Sequence, residues 1–195
     1  LPIYLMLSAM GMCSVTHTFA IDINDGVYQI ASGADLAEFS RLVNEGNSSI
    51  QAVLTSDVDM AGVDFQPIGN SGVPFKGTFD GSCHYVRNLT ISAPGESYVG
   101  LFGAVADGAY IKNVVVDAAS SISGEEFCGG IAGGSVGSGT VTFENCGNEA
   151  KVYANGANAA GIIGVSYLGN CNFNITNCYN AGSIDGGRES AAISG

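Results

Sequence analysis

The chain has 195 residues, with 6 Lys and Arg against 18 Asp and Glu, so its formal net charge is −12. This balance excludes nucleic acid and anionic membranes as partners, because both bind to basic patches. With 46% apolar and only 12% charged residues, the composition is that of a folded protein long enough for one large domain or two small ones.

The first twenty residues have the features of an export signal. Residues Leu1–Ala20 carry no Asp, Glu, Lys or Arg, and the apolar run Leu1–Met12 is too short to span a bilayer as a helix. Ala20 suits the residue before a signal-peptidase cleavage site. We predict a signal peptide at residues 1–20, cleaved after Ala20, and a secreted or cell-surface protein with no transmembrane segment in the mature chain. The alternatives are a buried N-terminal strand or helix, or a lipid anchor at Cys13.

A short amphipathic helix is predicted within Ala31–Gly46. Ser32 can cap its start, with Asp35 three residues later as in a capping box, and Gly46 can end it. The apolar residues that recur at helical spacing are Leu36, Phe39, Leu42 and Val43. We assign residues 21–49 to an N-terminal cap and expect its helix, Asp35–Asn44, to cover the end of the region that follows.

From Ile50 the pattern changes from helix to strand. Alternating residues between Ile50 and Met60 are apolar, which predicts a strand with one buried face. After Gly62 the chain consists of short apolar bursts separated by Gly, Asn, Ser and Asp, which is typical of many short strands joined by turns.

Two motifs recur along this region. The first places two apolar or small residues between two glycines, and its three full copies are at Gly100/Gly103, Gly130/Gly133 and Gly161/Gly164, with a degenerate copy ending at Gly195. Its period is therefore about 30 residues. The second motif consists of an apolar residue, any residue, an Asn and another apolar residue. Its asparagines are Asn88, Asn113, Asn145 and Asn177.

A period of this length without a helical pattern predicts a parallel β-helix over residues 50–195, truncated at its C-terminus. Each repeat would form one coil, and inward side chains would stack on their equivalents in the next coil. Gly is expected where the chain needs positive φ or a close backbone approach. Asn113, Asn145 and Asn177 are expected to point inward and form a ladder. An all-β sandwich is the alternative fold.

These motifs resemble the GLUG repeat family. Gly100-Leu101-Phe102-Gly103 matches the family pattern directly and Gly161-Ile162-Ile163-Gly164 matches it closely, and the likeness covers roughly Val53–Gly195. The resemblance implies a repeat region of an exported bacterial protein, of the kind found in adhesin-like surface proteins and in the non-catalytic regions of immunoglobulin A1 proteases. The family carries no agreed catalytic residues.

No catalytic, cofactor or metal site is predicted from the remaining residues. Five cysteines follow the signal, without any Cys-x-x-Cys spacing, and Cys146 and Cys178 hold equivalent repeat positions as expected of stacked small residues. An exported protein could form disulfides, but an odd Cys would remain. His84 near Asp80 lacks an accompanying nucleophile. Asp57, Asp59 and Asp64 could hold calcium, although a solvated acidic edge is the simpler interpretation of this cluster.

The sequence therefore predicts a non-catalytic structural or adhesive module. Its partner would be a host or matrix protein or a glycan, and because Trp is absent, glycan binding would depend on tyrosines such as Tyr98 and Tyr153. The alternatives are a β-helix enzyme acting on polysaccharides and the non-catalytic region of a larger secreted protease. The few basic residues and the sparse carboxylates of the repeats disfavour the enzyme.

Overall fold

The computed structural model describes residues 21–165, 170–188 and 190–193. The signal peptide predicted at residues 1–20, with its cleavage site after Ala20, lies outside these residues, as does the end of the fourth glycine motif at Gly195. The described chain forms a parallel β-solenoid of about four turns with one short helix. This confirms the predicted fold class, an all-β parallel β-helix of about 30-residue repeats with a short N-terminal helix.

The N-terminal segment begins as a hairpin. Strands β1 (Asp22–Asn24) and β2 (Val27–Ile30) pair antiparallel. Asp25 and Gly26 join them with φ angles of 49° and 81°, as the tight turns favoured in two-residue hairpins require. Helix α1 (Gly33–Asn44) follows, and then strand β3 (Gln51–Leu54) pairs in parallel with β2. The N-terminal segment and the repeat region therefore share one sheet across the boundary predicted at residues 49/50.

Helix α1 begins and ends as its sequence predicts. The Ser32 Oγ atom accepts a hydrogen bond from the Asp35 N–H at 3.2 Å and donates one to the Asp35 carboxylate at 2.8 Å. The Ala31 N–H, one residue before the cap, also donates to that carboxylate at 3.1 Å, so Asp35 and Ser32 form an arrangement similar to a capping box. At the other end Gly46 has a φ of 118°, and its N–H donates to the Val43 carbonyl.

The remaining strands are short, as expected for a solenoid. In chain order they are β4 (Val58–Asp59), β5 (Thr78–Arg87), β6 (Thr90–Ser92), β7 (Ser97–Val99), β8 (Phe102–Val105), β9 (Tyr110–Val116), β10 (Ser121–Gly129), β11 (Ala132–Ser135), β12 (Gly139–Glu144), β13 (Gly147–Asn148), β14 (Lys151–Ala160), β15 (Cys171–Thr176), β16 (Tyr179–Asn180), β17 (Ile184–Gly186) and β18 (Ser190–Ala191). The predicted Ile50–Met60 strand is split into β3 and β4, with the expected apolar parity buried: Ala52, Leu54, Val58 and Met60.

Hydrogen bonds between neighbouring coils form three sheets, which we call the three faces. The first face contains β1 to β5, β9, β12, β13, β15 and β16; the second contains β6, β7, β10, β14, β17 and β18; the third contains β8 and β11, extended by single bridges. Equivalent residues pair in register from coil to coil. On the first face this produces the inward ladder Phe79, Ile111, Phe143, Ile175, and on the second the ladder Ile91, Ile122, Val152, Ile184.

Aromatic side chains fill the N-terminal end of the core beneath α1. The ring of Phe39, on the helix, lies with its centroid 5.8 Å from that of Tyr28, 6.2 Å from that of Phe75 and 6.0 Å from that of Phe79. Phe75 and Phe79 in turn pack on Phe102. The apolar face of α1 therefore covers the core at this end, where a solenoid would otherwise expose apolar side chains to water.

Candidate interaction surface

The six glycines of the first repeat motif lie where two backbones meet. A Cβ atom at Gly100 would lie 2.7 Å from the carbonyl oxygen of Gly129, and one at Gly164 would lie 2.8 Å from that of Cys128. The whole set is equally crowded: Gly100, Gly103, Gly130, Gly133, Gly161 and Gly164. None of these six has a positive φ. Close backbone approach, and not a left-handed conformation, therefore explains the glycine motif.

The left-handed conformations at one corner belong to asparagines. Asn113, Asn145 and Asn177 have φ angles of 55°, 53° and 53°, which Asn tolerates better than most residues. The Asn177 amide donates to Asn145 Oδ1 at 3.2 Å, and the Asn145 amide donates to Asn113 Oδ1 at 2.9 Å. The ladder ends on Asp80, whose Oδ1 accepts from the Asn113 amide at 2.9 Å. Contrary to the expectation, this ladder runs along the outside of the corner, with Asn145 and Asn177 exposed.

Asn88 does not belong to that ladder. Val86 pairs with Val116, whereas Asn113 lies opposite an irregularity in β5 between Asp80 and His84. Asn88 therefore occupies the next corner of its coil, where its amide donates to Asp59 Oδ1 at 2.9 Å. The first step of the Asn motif is shorter than the others because Asn88 and Asn113 lie at different corners of the coil.

A buried amide ladder, which the sequence pattern did not predict, lies at that next corner. Asn148 is fully buried, and its Nδ2 atom donates to Asn180 Oδ1 at 2.8 Å and to the Ala150 carbonyl at 3.1 Å. The Ala150 N–H donates back to Asn148 Oδ1 at 3.2 Å. Because Asn148 and Asn180 are 32 residues apart, as are Asn145 and Asn177, the repeat spacing could have identified both pairs but could not tell which faces inward.

Charged side chains on the first face are held in structural contacts. The Asp57 carboxylate accepts hydrogen bonds from the Tyr85 N–H at 3.0 Å and from Arg87 Nη2 at 2.6 Å, and these lower the pKa of Asp57 to about 2. His84 lies beside Asp57, with its Nδ1 atom 3.3 Å away, and not beside Asp80 as the sequence suggested. Asp80 instead contacts Lys112 at 3.2 Å. Among the described residues, no group of three acidic, His or Cys side chains could hold a metal ion.

A third corner carries aromatic residues in the same strained conformation. Val99, Cys128 and Ala159 pair across the second face, so the residues before them, Tyr98, Phe127 and Asn158, stack at one corner. Their φ angles are 64°, 54° and 62°. Bulky side chains rarely adopt positive φ, and such positions concentrate at functional sites.

The two rings at this corner, which we call the aromatic corner (Tyr98 and Phe127), pack together. Their centroids are 5.2 Å apart with the planes tilted by 39°, and both side chains are only partly buried. Tyr98 is one of several tyrosines predicted for glycan contact, whereas Phe127 was not predicted. The available signal was an aromatic residue shortly before the first glycine of consecutive repeats, two positions before Gly100 and three before Gly130.

A groove of about 610 Å³ adjoins Tyr98. It runs between the loop at residues 63–70 and strands β6 and β7. Apolar groups on its walls include Phe65, Ile91 and Tyr98, and the polar groups are Asn44, Asp64, Gln66, Asn70, Thr90, Ser92, Glu96 and Ser97. Its lining combines ring faces, hydroxyls, amides and two carboxylates, and contains no Lys or Arg.

A second hollow, of about 900 Å³, lies between α1 and residues 63–66 and shares the side of the groove near Asn44. Its walls include Glu38, Arg41 and Glu45, which are joined in ion pairs along the helix surface. It contains no aromatic side chain. The smaller groove is therefore the better candidate for ligand contact. In the described part of the chain, no helix has the length and apolar character needed to cross a membrane.

Comparison with known sequences finds a local match but no family model. No protein-family model matches the chain, so its resemblance to the GLUG repeat family is not confirmed. The chain is 34% identical over 137 residues to Halomucin of Haloquadratum walsbyi, a match that covers 60% of this chain and 2% of Halomucin. The chain thus spans a very small part of that relative.

A solved structure shares the fold. It is that of a Bacteroides ovatus protein provisionally assigned as an immunoglobulin A1 protease, with a TM-score of 0.57 and 20% sequence identity. The likeness covers 84% of this chain and 59% of the other chain. At this level of identity the similarity concerns the fold alone, and it agrees with the solenoid described above.

Proposed function

We propose that this chain is a non-catalytic adhesive module of an exported surface protein, and that it binds a neutral saccharide chain in the groove beside the aromatic corner. The uncharged leader Leu1–Ala20 and the local identity to Halomucin, which its name describes as a mucin, support export to the surface. The solenoid supports the module, because its coils present the same outer positions repeatedly along one axis.

The observation that carries the proposal is the position of Tyr98. Its ring packs on Phe127 and lines a groove whose walls carry hydroxyl, amide and carboxylate groups. The apolar faces of sugar rings pack on aromatic rings, and sugar hydroxyls need donors and acceptors of the kind found on these walls.

The negative charge of the groove restricts the class of saccharide that can bind in it. Asp64 and Glu96 line the groove, no cation lines it, and the chain as a whole carries a net charge of −12. Carboxylates in a groove repel anionic ligands. Neutral hexose polymers therefore fit better than uronic or sulfated ones.

The non-catalytic part of the proposal rests on how three carboxylates outside the groove are used. Asp57 is bound to Arg87 and a backbone N–H, Asp80 is bound to Lys112 and Asn113, and Glu144 accepts from the Tyr110 hydroxyl. Glycosidases need two carboxyl groups facing one bond, with one of them free to donate a proton. These three carboxylates instead connect neighbouring coils.

The test compares binding of the chain to immobilised neutral and uronic polysaccharides. The key variant is Tyr98→Asn, because Asn158 occupies the equivalent corner in a later coil with a similar φ, so the backbone should tolerate it. We expect binding to a neutral polymer, at least about tenfold weaker in Tyr98→Asn. The control Tyr153→Asn alters an exposed tyrosine outside the groove lining and should bind normally.

Several outcomes would overturn the proposal. Absence of binding to every saccharide, equal affinity for neutral and uronic polymers, or an unchanged affinity in Tyr98→Asn would each reject the groove as a saccharide site. Shortening of the polymer during incubation, measured as new reducing ends, would reject the non-catalytic role.

A further inference from the structure

Cys146 and Cys178 occupy the same position in consecutive coils. Glu144 pairs with Thr176 and Gly147 pairs with Tyr179, so the intervening Cys146 lies opposite Cys178. Neighbouring parallel strands are about 4.8 Å apart. That spacing falls within the range of about 4.4–6.8 Å between Cα atoms that a disulfide can bridge without moving the backbone.

The two side chains are free thiols on the same inner side of the coil. Cys146 is fully buried, with its Sγ atom 3.4 Å from the Ile111 carbonyl oxygen, whereas Cys178 is half-buried with its Sγ atom 3.4 Å from the Thr176 carbonyl oxygen. The Cys146 thiol also interacts with that of Cys178. This contact lowers the pKa of Cys178 to about 7, and together with burial it raises the pKa of Cys146.

We propose that Cys146 and Cys178 form a disulfide that covalently joins two consecutive coils when the chain meets a disulfide oxidant. The Cys178 thiolate attacks one sulfur of the oxidant, so that a mixed disulfide forms and one thiolate leaves. That thiolate removes the proton of Cys146, which then attacks the Cys178 sulfur and releases the second thiolate. The second thiolate takes up from solvent the proton that Cys178 had lost. The protein loses two electrons and two protons, and the oxidant is reduced to two thiols.

The other described cysteines have no cysteine opposite them in a neighbouring coil. Cys128 pairs with Val99 and Ala159, Cys171 pairs with Gly139, and Cys83 lies in the irregular part of β5. The structure therefore selects one pair among the five cysteines of the predicted mature chain, which the spacing in the sequence could not do.

The proposed bond would stabilise the fold by restricting the unfolded chain. It would close a loop between two residues 32 positions apart, which in the chain-entropy description raises the melting temperature of a domain of this size by about 5–10 °C.

The experiment treats the whole chain with oxidised glutathione under native conditions and maps the bond by mass spectrometry. Cleavage after Glu and after aromatic residues separates Cys146, in residues 145–149, from Cys178, in residues 174–179, and from all other cysteines. We expect these two peptides to be joined with the loss of two hydrogens. We also expect a melting temperature about 5–10 °C higher after oxidation, reversed by a phosphine reductant.

Matched variants keep the test independent of folding defects, because the effect of oxidant is compared within each protein. Oxidation should leave the melting temperature of Cys146→Ala and Cys178→Ser unchanged and should raise that of Cys171→Ser as in the wild type. Two free thiols at positions 146 and 178 after saturating oxidant, or a bond from either one to a different cysteine, would overturn the proposal.

Discussion

The buried amide of Asn148 donates a hydrogen bond over 2.8 Å to the Oδ1 atom of Asn180, which occupies the equivalent position in the next coil. The same Asn148 side chain satisfies both the N–H and the carbonyl oxygen of Ala150. One side chain thus closes its own corner and ties two coils together.

Asn148→Ala should lower the free energy of unfolding by about 1–3 kcal/mol, because the backbone groups of Ala150 would remain buried without partners. Urea denaturation followed by circular dichroism measures this. Asn174→Ala, at an exposed position of β15, is the control and should change stability by less than about 0.5 kcal/mol. Equal effects of the two changes would contradict the importance of the buried ladder.

The stability of variants at position 145 should depend more on the backbone conformation than on the loss of the exposed hydrogen bonds of the Asn145 amide. Its φ of 53° is costly for Ala and free for Gly. We expect Asn145→Ala to be less stable than Asn145→Gly by about 1 kcal/mol, as measured by denaturation in urea. Both variants lose the bonds to Asn113 and Asn177, so equal stability would show that those bonds, and not φ, determine the choice of Asn.

Phe39→Ala should destabilise the protein by about 3–5 kcal/mol, because it opens a cavity in the aromatic cluster under α1. Phe39 is fully buried and contacts Tyr28, Phe75 and Phe79. Ala34→Ser, at an exposed position on the same helix, provides the control. A loss below about 0.5 kcal/mol for Phe39→Ala would mean that the helix does not contribute to closing the core.

The pH dependence of stability should reveal the Asp57 site. Its pKa of about 2 in the folded chain lies below the value of about 3.9 expected for an unfolded Asp. Asp57 therefore stabilises the fold above pH 4, and this contribution is lost as the pH falls from about 4 to 2. Melting temperatures of Asp57→Asn should fall less steeply across that window than those of the wild type.

Asp22→Asn controls for the change in net charge, because Asp22 lies exposed on β1. Its melting temperature should follow the wild-type profile. If Asp57→Asn keeps the full wild-type slope between pH 4 and 2, the contacts with Tyr85 and Arg87 do not stabilise the folded chain.

Export should remove residues 1–20. This prediction is based on the uncharged apolar leader, which ends in Thr18-Phe19-Ala20. N-terminal sequencing of protein recovered from the medium or the cell surface should begin at Ile21, whereas a chain that still begins at Leu1 would reject the predicted cleavage.

Several features could be predicted from local patterns. The box formed by Ser32 and Asp35 and the glycine at position 46 set the limits of α1, because capping depends on residues three or four positions apart. The alternation from Ile50 to Met60 likewise identified the buried side of β3 and β4. The misplacement of Asn88 has a physical cause, since two different corners of the coil both use a left-handed Asn after an apolar strand, and the local pattern does not distinguish them.

The period of the repeats was enough to predict the length of the coil, the closely packed glycines and the apolar ladders, because aligned repeats display all three. The contacts between polar and sulfur-containing groups, in contrast, became visible in the folded chain alone. Asn145 and Asn148 are both followed by an Asn after 32 residues, yet one is exposed and the other buried. In a strand a shift of one residue moves a side chain to the opposite face, and a left-handed residue at the corner redirects the chain again. The pairs Asn148–Asn180, Cys146–Cys178 and Tyr98–Phe127 therefore depend on the register between coils, which is set by the packing of the whole solenoid.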